Sequence, residues 1–253
     1  MTRTTESIRW RGGQVTRIEA LTDAVFGFAI TLLVVSLEVP DSFDELMTMM
    51  RGFVAFAFSF TLLILVWTYH YRLFSRYDLE DGITIVLNSV LLFVVLFYVY
   101  PLKFVASFLL GGTEDAFSSW EQVPLVMAIY GAGFVAVFLV FALLYGHAYR
   151  LRERMGLSPQ EAHTARANVA NCLVMVGVGM LSVAIALLLP SRAAAPVAGF
   201  SYFLIGPAQY VVAVRMHRLA PAADEAAPSP VAAARPGPSP VEPAEPLPPI
   251  HTS

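Results

Sequence analysis

The sequence predicts an all-α fold: an integral membrane protein with six transmembrane helices and a disordered Pro/Ala-rich C-terminal tail. Of its 253 residues, 57% are hydrophobic and 14% are charged, whereas soluble domains have about 45–50% and about 25%. Six apolar segments reach the length of about 20 residues that a bilayer requires. Because backbone polar groups in lipid must be bonded internally, each segment is predicted to be a helix. The segments lie at residues 20–39, 52–71, 83–104, 123–146, 168–189 and 196–214.

The remaining residues divide the chain into three parts. Residues 1–16 are a polar N-terminal segment, residues 17–218 contain the six spans, and residues 219–253 are rich in Pro and Ala. The last part has almost no large apolar side chains, so it cannot bury a core and is predicted to be disordered.

The basic residues predict the orientation of the chain. Thirteen of the sixteen Lys and Arg residues fall on the side of the two termini, and three fall on the other side: Arg51, Lys103 and Arg192. Since loops rich in Lys and Arg stay in the cytoplasm, both termini are predicted to be cytoplasmic.

Proline and glycine set expectations for helix ends and helix contacts. Helix 1 is predicted to end near Pro40, helix 3 at Pro101 and helix 5 at Pro190, because proline cannot continue the backbone hydrogen bonding. Helix 4 contains Gly131 and Gly133, and helix 5 contains Gly177 and Gly179. Small residues let membrane helices approach closely, so these glycines are interpreted as positions of helix packing.

Charged side chains at the start of the first apolar segment need partners. Arg17, Glu19 and Asp23 precede its long hydrophobic run, and charge within a membrane costs several kcal/mol. Arg17 and Asp23 are six residues apart, about 240° around a helix, so they cannot pair within it. Their partners are predicted to lie on other helices.

Polar side chains at matching depth on the next two helices supply candidate partners. Trp67 and His70 are three residues apart and share a helix face, and Asn88 lies one or two turns into helix 3. We expect Arg17, Asp23, His70 and Asn88 to meet in one layer near the cytoplasmic side. Such a layer either holds the helices together or supports a pathway for ions.

An apolar stripe runs along the first helix. Its members, spaced four, three, four and three residues apart, are Leu21, Val25, Phe28, Leu32 and Val35. The stripe either packs on other helices and lipid, or lines a tube made by several copies, which can gate by dewetting. No phosphate loop, metal-ligand spacing or nucleophile constellation is visible in the sequence. We therefore expect no enzyme, no cofactor and no nucleic-acid partner.

The start of helix 1 carries a family signature. Residues Arg17 to Asp23 match R-x-x-x-F-S-D, with Leu21 in place of Phe and Thr22 in place of Ser. Residues 31–32, the Trp67-x-x-His70 end of helix 2 and residues 88–101 of helix 3 also fit. Over residues 15–215, the chain resembles the bacterial members of the transmembrane protein 175 family of potassium channels.

The resemblance implies a function and its site. Family members are six-helix subunits that form homotetramers in bacteria, with helix 1 lining a pore that has no TVGYG-type filter. The principal constriction falls on Phe28, with Leu32 and Val35 further out and Thr31 close to the pore. The residues expected to hold helix 1 against helices 2 and 3 are Arg17, Thr22, Asp23, Trp67, His70 and Asn88. The resemblance implies passive potassium transport, with the lipid bilayer and further copies of the chain as partners, in the bacterial inner membrane.

One departure and two alternatives remain. The family usually has Ile or Leu where this chain has Phe28, so the channel is expected to be tighter, more often closed or different in its ion selectivity. The first alternative is a proton-coupled transporter or proton-permeable channel that uses Asp23 and His70 as relays. The second is a membrane scaffold that binds partners through its Pro-rich tail.

Overall fold

The computed structural model describes residues 16–35, 41–109 and 122–219, and every regular element in these ranges is a helix. The helices are α1 (Arg17–Val35), α2 (Phe43–Phe74), α3 (Gly82–Leu109), α4 (Gln122–Arg150), α5 (Pro159–Leu188), α6 (Ser191–Ser201) and α7 (Ile205–Arg218). The predicted all-α class is confirmed for this part of the chain. The predicted N-terminal segment, almost all of the tail, and the helix end near Pro40 lie outside the described residues.

Five candidate membrane spans meet the criteria of length and apolar composition within the described ranges. They cover α1, α4 and α5, residues Gly82–Leu102 of α3, and Pro196–Arg218 across α6 and α7. A 3₁₀ turn over Tyr202–Leu204 joins these last two helices, so the sixth predicted helix is interrupted. The second predicted span lies within the 32-residue α2.

Two helices begin earlier than predicted because polar caps extend them. The Ser42 hydroxyl accepts a hydrogen bond from the backbone of Glu45, which starts α2 nine residues before the predicted span. Ser158 and Glu161 form a reciprocal capping box that starts α5. Each cap satisfies backbone N–H groups that the first turn leaves free.

The predicted end of helix 3 at Pro101 is wrong, because α3 continues through this proline to Leu109. A proline removes one backbone hydrogen bond, but membrane helices tolerate it where the surrounding helices and local adjustments compensate. The predicted end of helix 5 agrees with the structure, because α5 stops at Leu188 ahead of Pro190.

Helices α4 and α5 form the most extensive helix–helix contact in the described chain. A Cβ atom added at Gly131 would lie 2.6 Å from the Val183 side chain, and one added at Gly179 would lie 2.7 Å from the Val135 side chain. Neither glycine could carry a side chain without moving its neighbour. The two backbones therefore approach because both positions lack a Cβ.

The connection between α2 and α3 is tied to the ends of α4 and α5. The Asp81 carboxylate lies 2.8 Å from His147 Nε2 of α4 and accepts hydrogen bonds from Thr84 and the Ile83 backbone. Partial desolvation acts to raise the pKa of Asp81, but the hydrogen bonds from Thr84 and His147, with the charge of His147, outweigh it and lower the pKa below its ordinary value. Tyr77, buried in the same connection, donates a 3.4 Å hydrogen bond from its hydroxyl to the Glu161 carbonyl in the first turn of α5.

Candidate functional site

Helix α1 packs only on α2 and α3 within the described chain. A capping box starts it, since the Thr16 hydroxyl accepts from the Glu19 backbone and the Glu19 carboxylate accepts from the Thr16 backbone. The face that meets α2 and α3 contains four buried residues: Thr22, Phe26, Ala29 and Leu33.

The buried face contains the end of a hydrogen-bond chain that links three helices. The Thr22 hydroxyl accepts a 2.9 Å hydrogen bond from Asn88 Nδ2 of α3 and donates one of 2.8 Å to the Ile18 carbonyl. The Asn88 side-chain oxygen lies 3.0 Å from His70 Nε2 of α2. Thr22, Asn88 and His70 are all at most 2% exposed. A buried polar group without a partner is costly, so this chain favours one arrangement of α1, α2 and α3.

Aromatic side chains enclose His70. Its ring stacks on Phe74 at a centroid distance of 4.3 Å and lies 6.5 Å from the ring of Phe26 on α1. These contacts fix the imidazole in the position from which it meets Asn88.

A second polar contact joins α1 to α2. Trp67 Nε1 donates a 2.9 Å hydrogen bond to Asp23 Oδ1, and the Trp67 ring stacks on Tyr71 at 5.6 Å. Within the described residues, Asp23 and His70 share no hydrogen bond. The predicted layer is therefore two separate contacts, one buried and one exposed.

Arg17 does not join this layer. Its side chain is exposed and makes no hydrogen bond or ion pair with any residue that the structure describes. The helical period explains this result, because five residues place Arg17 about 140° around the helix axis from Thr22, away from the face that meets α2 and α3.

The opposite face of α1 is uncovered in the single chain. Leu21, Phe28 and Val35 are 55%, 57% and 72% exposed. Thr31 is also exposed, and its hydroxyl donates a 2.9 Å hydrogen bond to the Gly27 carbonyl. A helix that keeps large apolar side chains on an open face requires lipid or another protein surface beside it.

The predicted stripe is narrower than its spacing suggested. Val25 packs against the core, and Leu32 is half-buried. Both residues lie at the margin of the open face, because each follows a four-residue step, which turns about 40° around the helix toward the buried face.

Two polar contacts in the structure were not predicted from the sequence. The T-x-x-E pattern at Thr16 and Glu19 was visible as a capping box. The contact of Asp81 with His147 had no local signal, because the two residues are 66 positions apart. Among the described residues, no group of three or more His, Cys, Asp or Glu side chains is arranged to hold a metal ion.

The family model and the relatives that match this chain are all described as potassium channels. A family model described as endosomal/lysosomal potassium channel TMEM175 matches residues 17–98, which run from α1 into α3. A potassium channel of Marivirga tractuosa is 41% identical over 216 residues, covering 80% of this chain and 87% of that protein. A potassium channel of Chamaesiphon minutus is 31% identical over 140 residues, covering 52% and 64%.

Solved structures agree with these sequence relatives. The chain is similar to a crystal structure of a variant of the potassium channel MtTMEM175 bound to a Nanobody-MBP fusion, with a TM-score of 0.75 and 38% identity over 85% of this chain and 98% of that one. The lysosomal potassium-selective channel TMEM175 homolog from Chamaesiphon minutus shares the fold, with a TM-score of 0.54 and 24% identity over 79% and 96%. The chain therefore belongs to the TMEM175 family of potassium channels.

Proposed function

We propose that this protein is a potassium-permeable channel of the bacterial inner membrane, in which four copies place α1 around a central pore. Ions pass down their gradient without a cofactor. The proposal rests mainly on one observation. One face of α1 is buried against α2 and α3 within the subunit, whereas another face keeps large apolar side chains exposed. The relatives named as potassium channels support the same assignment.

The open face supplies the residues of the proposed constriction. Phe28 and Val35 are seven residues apart, so they lie within about 20° of each other on the helix. Four copies would place rings of these side chains at two levels, with Leu32 between them at the margin. Apolar rings of this kind close a pore by excluding water, and they open when the rings widen.

Thr31 adds a polar group beside the apolar rings. Its hydroxyl donates to its own helix at Gly27, so its oxygen can still accept a hydrogen bond from water. We propose that Thr31 supports the hydration of an ion next to the Phe28 ring.

The contacts of α1 with α2 and α3 hold the pore helix in place. The chain from His70 through Asn88 to Thr22 ends at the Ile18 carbonyl of the same helix, and a carbonyl does not release a proton. Because Asp23 bonds to Trp67 instead, the geometry favours an anchoring role over a proton relay between Asp23 and His70.

The proposed topology has six spans and both termini in the cytoplasm. At 1.5 Å per residue, the 32 residues of α2 extend about 48 Å, enough to cross a hydrocarbon core of about 30 Å. The excess of Arg residues on the side of the termini supports the orientation.

A potassium flux assay on purified protein in liposomes tests the channel and its constriction. We expect the wild type to pass potassium down its gradient. Phe28→Ala is expected to increase this flux at least several-fold, because the bulkiest side chain of the proposed constriction is removed. Phe203→Ala is the matched control, since Phe203 is 76% exposed in the turn between α6 and α7. Absence of wild-type flux would refute the channel. Equal flux in wild type and Phe28→Ala would refute the constriction.

A further inference from the structure

Arg17 lies on the same face of α1 as the proposed constriction. Eleven residues separate it from Phe28, which is three helical turns with an offset of about 20° and a rise of about 16 Å. Leu21 and Val35, each seven residues from Phe28, share this face. The Arg17 side chain is exposed, like those of Leu21, Phe28 and Val35.

The acidic residues nearest to Arg17 in sequence are directed elsewhere. Glu19 lies about 180° from Phe28 around the helix, and its carboxylate caps the first turn at Thr16. Asp23 lies about 140° from Phe28 and accepts a hydrogen bond from Trp67 of α2. Within the described part of the subunit, the guanidinium of Arg17 makes no ion pair.

We propose that Arg17, repeated in each copy, forms a ring of positive charge at the cytoplasmic mouth of the pore and limits the supply of potassium from that side. The ring repels cations before they reach Phe28, so outward current is smaller than inward current. This inference rests on the proposed function, because a ring requires several copies of α1 around one axis.

The expected size of the effect follows from Coulomb's law with ionic screening. We take the four guanidinium groups to lie about 8 Å from the axis, a distance comparable to the spacing of packed helices. In water they would lower the local potassium concentration roughly ten-fold in 10 mM salt, roughly three-fold at 0.15 M and hardly at all at 1 M. A dependence on ionic strength is thus the signature of a charge ring, and a role in folding would not produce it.

Single-channel recording in excised inside-out patches tests the ring. Outward currents of wild type, Arg17→Gln and Arg17→Lys are compared with cytoplasmic KCl at 10 mM, 0.15 M and 1 M (values chosen for their different screening lengths). We expect Arg17→Gln to exceed wild type roughly ten-fold, three-fold and one-fold in that order. Arg17→Lys keeps the charge and is expected to match wild type.

Arg218→Gln is the matched control. Arg218 is exposed at the end of α7, which packs on α5 and not on α1, and it belongs to the same predicted side of the membrane. Its currents are expected to equal those of wild type at every salt concentration.

Two results would overturn the inference alone. The first is a conducting wild type whose ratio to Arg17→Gln does not change with salt. The second is an Arg17→Lys variant that behaves like Arg17→Gln. A wild type that conducts no potassium under any condition would overturn the proposed function, and the ring with it.

Discussion

Two pairs of helices in this chain are joined by different physical means. Helix α1 meets α3 through side-chain hydrogen bonding, with the Asn88 amide donating to Thr22 in a buried setting. Helices α4 and α5 meet through close approach of the backbones at Gly131 and Gly179, where an added Cβ would clash. Both pairs lie in the apolar part of the chain, yet one contact is polar and the other is purely steric.

The two contacts differ in how strictly each one fixes the rotation of a helix about its own axis. In lipid, apolar side chains gain little from leaving the surrounding acyl chains, so an apolar face alone orients a helix weakly. A rotation of α1 by one residue, about 100°, would move Thr22 out of reach of Asn88. The polar contact therefore determines which face of α1 stays open, and that face contains Phe28.

The largest effect is expected when the polar contact is broken. Asn88→Leu removes the hydrogen bonds to Thr22 and His70 and leaves His70 without this partner in a buried site. We expect a loss of about 2–3 kcal/mol in the free energy of unfolding. We also expect loss of potassium flux, because α1 is no longer fixed. Thermal unfolding in detergent and the liposome assay measure the two effects.

The control for this prediction is Ser89→Ala on the same helix. The Ser89 hydroxyl is exposed and donates only to the Ile85 carbonyl, so its loss is expected to cost less than about 0.5 kcal/mol. Equal unfolding temperatures for Asn88→Leu and Ser89→Ala would show that the buried contact does not hold α1.

A smaller effect is expected at the steric contact between α4 and α5. Gly131→Ala places a methyl group 2.6 Å from the Val183 side chain, and the branched valine has little freedom to move. Overpacking should cost about 1–3 kcal/mol, partly offset by the better helix propensity of alanine. The midpoint of thermal unfolding is expected to fall.

The same helix offers the matched comparison. A Cβ added at Gly146 meets no atom within 4 Å, so Gly146→Ala is expected to leave stability unchanged or to raise it by up to about 1 kcal/mol. If both alanine variants were stabilised, the close approach at Gly131 would not be a packing constraint.

The smallest effect is expected at the pair of Asp81 and His147, which ties the α2–α3 connection to α4. Because folding lowers the pKa of Asp81, its ionised form stabilises the fold above the ordinary pKa of the group, and this contribution is lost as the pH falls through the lowered value. Asp81→Asn is expected to cost below about 1 kcal/mol at pH 7, since the carboxylate is partly solvated.

Measurements over a range of pH test whether the charge of the Asp81 carboxylate contributes to stability. Thermal unfolding is measured from pH 7 downward, and the gap between wild type and Asp81→Asn is expected to close once the carboxylate of the wild type is protonated. A gap that stays constant over the whole range would mean that the charge of Asp81 contributes nothing.

The polar residues near the start of α1 show which features of the site could be predicted from the sequence. Depth along the predicted spans was enough to bring Asp23, His70 and Asn88 to one level of the membrane, because helical rise converts sequence position into depth. Depth did not assign partners. The pairing of Trp67 with Asp23 and the exposure of Arg17 depend on the rotation of each helix about its axis.

The sequence by itself determined the helical class, five of the six predicted membrane spans and the family. These follow from local composition, since lipid permits few backbone arrangements, and from a short signature at Arg17 to Asp23. Only the tertiary structure decided that α3 passes through Pro101, that Val25 turns inward and that Asp81 meets His147. These outcomes depend on contacts between residues far apart in the chain, where no local preference selects a partner.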